Sequence, residues 1–396
     1  MPQQSTLSVE KRPTVKLSSR GSSRLKNGHV WVYRSDIVSS DGIPPGAVVD
    51  VADERGKFLG TALYSSASQI AIRMISPNKV EDLPGLLRKR IQAAISYREQ
   101  VVRESDAYRV IFSEADFLPG LIVDRYNDLL SIQVLTQGMD SEPLRQTILA
   151  ELGERLNPAS IVERVDPRVR ELEQLPARAS SLVRGEKSSI VFSMNGVQFH
   201  FNALLGQKTG AFLDQRENYA AARRYARGEA LDVFCYQGGF ALHVAQQCSK
   251  VTGVDSSRSA LEVAERNAAL NGREVEWIEA NAFDLLRDYA DAGRQYDTIV
   301  LDPPAFARSK RNLETAMRGY KELNLRALKM LGPGGILITC SCSYHVTDAD
   351  FAQMLTEAAA DLRRPLRVLE RRGQSLDHPV LLGVPETAYL KCFIVS

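Results

Sequence analysis

Strand and helix patterns alternate through the second half of the chain, and this alternation restricts the fold more than any other feature. From about residue 196, apolar runs such as LDVF and TIVL are separated by stretches with apolar residues at helical spacing, such as SALEVAERNAAL. Strands joined by helices of this length form a parallel, doubly wound sheet. Ligands of such sheets bind beyond the carboxyl ends of the strands. We therefore predict an α/β domain over residues 196–396, with its site at the strand ends.

Two smaller regions precede this domain, as the length of 396 residues leads us to expect. Residues 1–78 contain short alternating apolar runs, broken by DGIPPG and ERGK, which predict a compact β-rich domain of about five or six strands. Residues 79–195 contain helical patterns and strand candidates, which predict a small α+β domain. The polar stretch near its end, residues 170–189, is predicted to be a loop or linker.

The charge distribution limits the functional class. The formal net charge of +2 does not indicate a globally basic nucleic-acid binder, but the first 40 residues carry seven basic residues against two acidic ones. Such a local excess suits phosphate contact, although a solvated basic surface is the simpler alternative.

The cysteines and the first residues indicate the compartment. The odd count of five cysteines fits reduced thiols rather than a disulfide scaffold. The first residues contain no apolar signal core, and no stretch approaches the roughly 20 apolar residues that a membrane span needs. We therefore expect a cytoplasmic protein without membrane contact.

Three consecutive strand ends carry residue types that suit an adenosyl ligand. The first strand leads into Gly238 and Gly239, where the backbone can approach a ligand closely. Asp255 ends the next strand, where its carboxylate can accept hydrogen bonds from both ribose hydroxyls. Asn281 ends the third and could bond an adenine edge. The glycine spacing is not GxGxxG, which weakens a dinucleotide interpretation, and a glycine turn that only packs beside an unrelated acid is the structural alternative.

Two further strand ends carry residues that could act on a planar base. In LDPPAF, two prolines remove backbone donors and fix φ, so Asp302 is held rigidly at its strand end. The strand LITCS carries Cys340, which we expect to be buried, and is followed by Cys342, which we expect to be exposed past the strand end. With His345 the pair supplies three metal ligands where a zinc site needs about four, so we predict no metal site. A redox pair and inert buried thiols remain alternatives.

The order of the motifs DVFCYQGGF, GVD, NAF, DPPAF and SCS resembles class I S-adenosylmethionine-dependent methyltransferases. More closely, the chain resembles the bacterial 23S ribosomal RNA large-subunit methyltransferase I family, which methylates carbon 5 of a cytosine. SRLKNGHVWVYRSDI is similar to the PUA RNA-binding domain of that family, LPGLIVDRY to its middle domain, and GQKTGAFLDQR to the segment before its catalytic domain. The resemblance implies a Rossmann-like class I methyltransferase domain, preceded by a β-rich PUA domain and a small α+β middle domain. It also implies S-adenosylmethionine as cofactor, ribosomal RNA as partner, and a homodimer.

The resemblance also implies roles for individual residues. Cys342 matches the nucleophile, and Asp302 would be catalytic beside it. The local basic charge and the resemblance together predict that RNA contacts Arg20, Arg24 and Lys26; Arg308, Lys310 and Arg311, after the Asp-Pro-Pro turn, are the alternative surface. The residues expected at the cofactor are Lys208, Thr209, Gly210, Asp214, Phe234, Tyr236, Gly238, Gly239, Asp255, Asn281, Ala282 and Asp302. The chain departs from the family at Asn281, where an acidic residue is usual, and at Cys340, where a bulky apolar residue is more common.

The chemistry of cytosine agrees with a catalytic cysteine. Carbon 5 is a poor nucleophile, so a thiolate must first add to carbon 6 and create an enamine. Asp302 could hydrogen-bond the edge of the activated base. Two alternatives remain. One is a methyltransferase for exocyclic amines of adenine or guanine, in which Cys342 is dispensable. The other is a non-catalytic RNA-binding or ribosome-assembly protein that retains the fold.

Overall fold

The N-terminal region forms the predicted β-rich domain. The computed structural model describes residues 12–204, 211–307 and 309–396. The first six strands make one sheet in the order β2-β6-β5-β4-β1-β3, which confirms the predicted strand number. These strands are β1 (Thr14–Leu17), β2 (Trp31–Tyr33), β3 (Ile37–Ser39), β4 (Val48–Asp53), β5 (Phe58–Tyr64) and β6 (Ile70–Ser76). Helix α1 (Ser19–Lys26) follows β1, and the Ser18 hydroxyl caps it by accepting a hydrogen bond from the Gly21 amide.

The middle region is an α+β unit, as predicted. Its five strands pair in the order β11-β10-β9-β8-β7. They are β7 (Ala107–Phe112), β8 (Leu121–Tyr126), β9 (Leu129–Val134), β10 (Ser160–Glu163) and β11 (Ser181–Arg184). The helices are α2 (Leu83–Val101), α3 (Glu142–Leu156) and α4 (Pro167–Leu172). Apolar side chains of α2 and α3 are buried against the sheet, which explains their helical spacing in the sequence.

The prediction of a loop or linker over residues 170–189 is wrong in part. The segment contains the end of α4 and the whole of β11, which pairs antiparallel with β10. All four residues of β11 are exposed, so the strand shows none of the apolar alternation by which a strand is recognised. Arg178, which precedes β11 in the chain, contacts the carboxylates of Asp140 and of Glu163 in β10 at 3.2 Å each. These contacts hold the start of β11 next to β10 at the sheet edge.

A separate hairpin precedes the C-terminal sheet. Strands β12 (Ser189–Met194) and β13 (Val197–Asn202) pair with each other and pack apolar residues against the C-terminal core. The domain boundary predicted between residues 195 and 196 falls inside this hairpin, and the boundary remains a prediction.

The C-terminal region is the predicted doubly wound sheet. Its strand order is β16-β15-β14-β17-β18-β20-β19. The first five are parallel, whereas β20 is antiparallel to both of its neighbours. The strands are β14 (Glu229–Val233), β15 (Lys250–Asp255), β16 (Glu276–Glu279), β17 (Tyr296–Leu301), β18 (Leu331–Ser341), β19 (Val368–Arg372) and β20 (Lys391–Val395). The helices are α5 (Arg216–Tyr225), α6 (Gly239–Val244), α7 (Arg258–Leu270), α8 (Ala282–Asp291), α9 (Leu313–Met330) and α10 (Asp348–Asp361). The central strands are almost fully buried, as expected where helices cover both faces.

Glycine and proline usually mark turns, but the segment GPGG, residues 332–335, belongs to β18. Tyr296 pairs with Leu331 and Thr298 pairs with Ile336, so the four residues form an irregularity within the ladder. Gly334 has φ of 68°, a conformation that favours glycine. The glycines of GPGG therefore mark an irregular backbone, but β18 begins before them, at Leu331.

The closing segment, residues 373–390 between β19 and β20, connects the three regions. A side chain at Gly383 would collide with the carbonyl oxygen of Gly28, so the N-terminal domain lies directly against this segment. His29 Nε2 also lies 3.7 Å from Glu386 Oε2. In the middle region, Arg98 donates to the Asp377 carbonyl at 2.8 Å. Among the helices that the structure describes, none is both long and apolar enough to cross a membrane.

Candidate active site

A cavity of about 440 Å³ lies beyond the carboxyl ends of β14, β15 and β17. It brings together seven of the residues singled out from the sequence: Asp214, Phe234, Tyr236, Gly239, Asp255, Asp302 and Cys342. Gly238, Asn281 and Ala282 are described by the structure but do not line this cavity. Lys208, Thr209 and Gly210 lie outside the described residues. Most of the predicted site residues thus meet at the edge of the sheet where a doubly wound fold binds its ligand.

The turn between β14 and α6 has a strained backbone. Phe234 and Tyr236 have φ of 68° and 49°, and Gly238 has φ of 87°. Positive φ costs residues other than glycine about 1–3 kcal/mol each, and such residues concentrate at functional sites. The amides of Phe234 and Cys235 both donate to the Val254 carbonyl, at 2.9 and 3.0 Å, which holds the turn in place. The turn therefore has a fixed shape before any ligand binds.

Gly239 is required by packing as well as by its place at the cavity. A Cβ atom there would lie 2.6 Å from the Tyr219 ring, which is buried against Phe240 and His243. Burial also lowers the pKa of His243 to about 4, and its ring nitrogens contact the carbonyls of Gly239 and Met194. His243 is therefore a neutral core residue at physiological pH.

Asp255 is oriented by two backbone amides. Its Oδ2 accepts from the Tyr236 amide and its Oδ1 from the Ser257 amide, each at 2.9 Å. A carboxylate oxygen can accept more than one hydrogen bond. Asp255 can thus bind ligand hydroxyls at the cavity wall while it holds the turn.

Asp232 is a site feature that the sequence interpretation missed. It is fully buried beneath the turn, and its Oδ2 accepts from the Ala241 amide at 2.8 Å. Its Oδ1 has no hydrogen-bond partner within the described chain. Burial raises the pKa of Asp232 well above the usual carboxyl range, and the nearby charges of Asp302 and Asp255 raise it further. Asp232 therefore lies beneath the cavity, whereas Asp255 and Asp302 line it, and the carboxylates in the cavity wall favour a ligand that carries positive charge.

Asp302 is held by a chain of side-chain hydrogen bonds. Gln215 Nε2 donates to Asp302 Oδ1 at 2.9 Å, and Gln215 Oε1 accepts from Asn218 Nδ2 at 2.7 Å. Asn218 in turn accepts from Arg372 Nε at 2.9 Å. These contacts fix which end of the Gln215 amide faces Asp302. Gln215 was not predicted as a site residue, although it lies directly after the predicted Asp214.

Cys340 and Cys342 differ in burial, as predicted. Strand β18 ends at Ser341, and Cys340 is fully buried opposite Cys392 of β20. Burial raises the pKa of the Cys340 thiol well above its ordinary value, which keeps that thiol unreactive. Cys342 follows the strand end, is partly exposed and lines the cavity, with its Sγ 3.8 Å from the Pro303 carbonyl oxygen.

Asp214 is anchored by the closing segment. The Tyr389 hydroxyl donates to Asp214 Oδ2 at 2.6 Å, and the Asp214 carbonyl accepts from the Ser375 amide and hydroxyl at 2.8 and 2.9 Å. Burial raises the pKa of Tyr389 well above its ordinary value, so its hydroxyl remains a donor. Tyr389 lines the cavity but was not predicted, because no motif in the closing segment marks it.

Asn281 begins a helix. Its Oδ1 accepts from the amides of Phe283 and Asp284, at 2.9 and 3.3 Å, so it caps α8. The cap explains the asparagine without any ligand, and contact between Asn281 and an adenine stays a prediction.

The basic residues predicted to contact RNA share helix α1. We call Arg20, Arg24 and Lys26 the α1 basic cluster. Arg20 and Arg24 lie 3.5 and 3.8 Å from the buried Asp36 carboxylate, and Arg24 also stacks on the Tyr33 ring at 4.4 Å. Lys26 is exposed. Of the alternative surface, Lys310 and Arg311 form a short 3-10 helix before α9, and Arg308 lies outside the described residues.

A metal centre has no support in the described parts of the chain. No group of three or more histidine, cysteine, aspartate or glutamate side chains there could hold a metal ion.

Comparisons with known proteins agree with this geometry. Residues 15–77 match the PUA-like domain family, and residues 140–394 match the S-adenosylmethionine-dependent methyltransferase family. The fold is similar to that of a candidate methyltransferase solved in complex with SAH, with a TM-score of 0.83 at 21% identity over 97% of this chain and 99% of that one. A candidate S-adenosylmethionine-dependent methyltransferase from Streptococcus mutans gives a TM-score of 0.82 at 20% identity, with the same coverage.

Curated relatives are similar over nearly their whole length. The ribosomal RNA large subunit methyltransferase I of Shewanella denitrificans is 39% identical over 95% of this chain and 97% of its own. That of Tolumonas auensis is 39% identical over 96% and 98%. The sulfonium and ammonium charges of S-adenosylmethionine suit the carboxyl groups of Asp255 and Asp302, which line the cavity. The chain therefore belongs to the ribosomal RNA large subunit methyltransferase I family and is an S-adenosylmethionine-dependent methyltransferase.

Proposed function

We propose that the protein methylates carbon 5 of a cytosine in large-subunit ribosomal RNA through a covalent adduct with Cys342. The observation that carries this proposal is that Cys342 and Asp302 line the same cavity as Asp255 and the β14–α6 turn. A transferase for exocyclic amines would need the Asp-Pro-Pro turn but no thiol at this position. The names of the relatives support ribosomal RNA as the substrate class.

The reaction follows from these side chains. The thiolate of Cys342 adds to carbon 6 of the flipped cytosine, and the electron pair of the C5–C6 bond becomes available at carbon 5. Asp302, fixed by Gln215, hydrogen-bonds the edge of the base and stabilises the activated ring. S-adenosylmethionine supplies the methyl group that carbon 5 receives. A base then removes the carbon 5 proton, the C5–C6 double bond re-forms, and the Cys342 thiolate leaves.

RNA is proposed to reach the cavity from the N-terminal domain. The α1 basic cluster supplies phosphate contacts, and the chain just after α1 lies against the closing segment, through Gly28 and His29. The same segment contributes Tyr389 to the cavity wall. An RNA strand bound along α1 would therefore lead toward the catalytic residues.

We also propose a homodimer, which light scattering of the purified protein would test.

The decisive experiment uses labelled S-adenosylmethionine and ribosomal RNA from a strain that lacks the enzyme. Wild type and Cys342→Ala are compared, and the labelled nucleoside is identified by mass. We expect 5-methylcytidine with wild type and none with the variant. Cys340→Ala is the matched control, because its thiol lies two residues away but is buried, and it should retain activity if it folds. A methylated exocyclic amine, with Cys342→Ala still active, would contradict the proposal and favour the amine methyltransferase.

A further inference from the structure

A lysine is buried beside the catalytic cysteine. Lys391 of β20 is only 6% exposed, and its Nζ donates to the carbonyl oxygens of Ser343 at 2.6 Å and Tyr389 at 2.8 Å. Ser343 directly follows Cys342, and Tyr389 lines the cavity. Removing an ammonium group from water costs several kcal/mol unless other interactions compensate, so a lysine at such a position is a candidate for a functional role.

We propose that Lys391 is a positioning residue for Cys342: its ammonium group holds the chain segment that carries the thiol, and its positive charge favours the thiolate. This inference rests on the proposed role of Cys342 as nucleophile. Lys391 itself is not among the described residues that line the cavity, so it acts through Cys342 rather than on the substrate.

Three other described ionisable groups lie near Cys342, and none of them favours a thiolate: Asp302 after β17, Tyr320 of α9 and Tyr389 of the closing segment. Asp348 and Asp350 of α10 act on Lys391 instead and favour its charged form. All of these are either neutral or negative at physiological pH. The two α10 carboxylates have contacts elsewhere, since Asp348 lies 3.0 Å from Arg371 and Asp350 accepts from Thr347. The charge of Lys391 therefore opposes a set of groups that would otherwise disfavour ionisation of the thiol.

The titration of Lys391 agrees with this role. Burial lowers its pKa to about 8, and the nearby Cys342 acts in the opposite direction by favouring the charged amine. Because the interaction is mutual, the ammonium favours the thiolate equally. Lys391 is mostly charged at pH 7, so its effect is present there and declines as the pH rises through about 8.

The test is the rate at which iodoacetamide alkylates Cys342 as a function of pH, followed by mass spectrometry of the modified peptide. In the reaction the thiolate displaces iodide, so the rate reports the ionised fraction. Cys248 is an internal control: it is also partly exposed, and burial raises its pKa to about 11. In wild type we expect the Cys342 midpoint to lie below the ordinary thiol value of about 8.5.

Three variants separate charge from tethering. Lys391→Met removes both, Lys391→Gln keeps hydrogen-bond donors without the charge, and Lys391→Arg keeps the charge. Met and Gln should both raise the Cys342 midpoint by about one pH unit, which is about tenfold less thiolate at pH 7, and Arg should restore the wild-type profile. S-adenosylmethionine binding serves as the folding check.

Two results would overturn the inference. One is a wild-type midpoint for Cys342 at or above about 8.5, which needs no variant to fold. The other is an unmoved midpoint in Lys391→Gln, because then the lysine only tethers the segment. Neither depends on the RNA product. Failure of the proposed function would appear separately, as an active Cys342→Ala.

Discussion

Replacing Asp377 with asparagine should destabilise the junction between the middle and C-terminal regions. Asp377 is fully buried in the closing segment, with Oδ1 3.0 Å from Arg216 Nη2 and Oδ2 accepting from the Arg109 amide at 2.8 Å. Arg216 is itself 1% exposed. The variant would leave this guanidinium buried, with Glu217 at 3.6 Å as its remaining carboxylate.

The expected cost follows from this burial. Removing one partner of a buried ion pair typically costs about 3–5 kcal/mol, because the other charge stays desolvated. For a chain of 396 residues the cost corresponds to a fall in melting temperature of about 4–6 °C. The matched control is Glu217→Gln, which removes the partly exposed partner of the same guanidinium and should cost less than about 1 kcal/mol.

The assay is differential scanning calorimetry of wild type and both variants between pH 3 and 8. Burial alone would raise the pKa of Asp377, but His378, Arg216 and the Arg109 amide together lower it below the usual carboxyl range. A depressed pKa stabilises the fold above the unfolded-state value of about 3.9, and the contribution is lost as the pH falls through the folded value. The difference between wild type and Asp377→Asn should thus be constant near neutrality and shrink in acid. Equal losses for Asp377→Asn and Glu217→Gln would refute the reasoning.

Three further outcomes are expected. Gln215→Leu should lower the methyl-transfer rate about tenfold, because Asp302 loses its orienting donor; unchanged kinetics would contradict this. Asp255→Asn should weaken S-adenosylmethionine binding in calorimetry by about 10-fold to 100-fold, whereas Glu279→Gln, at the end of the next strand and outside the cavity, should not. Replacing the whole α1 basic cluster with alanine should weaken RNA binding. The negative slope of log K against log salt should become shallower by about 1 for each phosphate that the protein no longer neutralises, and an unchanged slope would mean that RNA binds another surface.

The sequence predicts those site residues that follow a recognisable strand. Asp255, Asp302 and Cys342 each come after an apolar run, and the carboxyl ends of parallel strands meet at one edge of the sheet. All three line the cavity in the structure. Local pattern and sheet geometry are sufficient in such cases, because the proximity of distant residues follows from the fold class itself.

Other parts of the site have no local signal. Gln215 and Tyr389 reach the cavity from segments outside the strand ends, and Gln215 contacts a residue 87 positions away. In the sequence, Asp232 is one polar residue within a buried strand. Only the structure shows that its Oδ1 is buried without a hydrogen-bond partner among the described residues. At Asn281 the same residue type suits a helix cap and an adenine contact, so composition could not separate the two. These features depend on tertiary neighbours, which no window of sequence contains.

The pairing of β20 limits how the end of the chain can vary. Cys392 and Ile394 pack into one core cluster, while Phe393 and Val395 pack into the cluster on the opposite face of the sheet. Alternation puts Lys391 on the face of Phe393. An insertion in the closing segment can be absorbed as a longer loop, but a slip of one residue along β18 would exchange the two faces. The ammonium group would then lie on the far side of the sheet from the Ser343 carbonyl, and the packing of both cores would be disrupted at the same time.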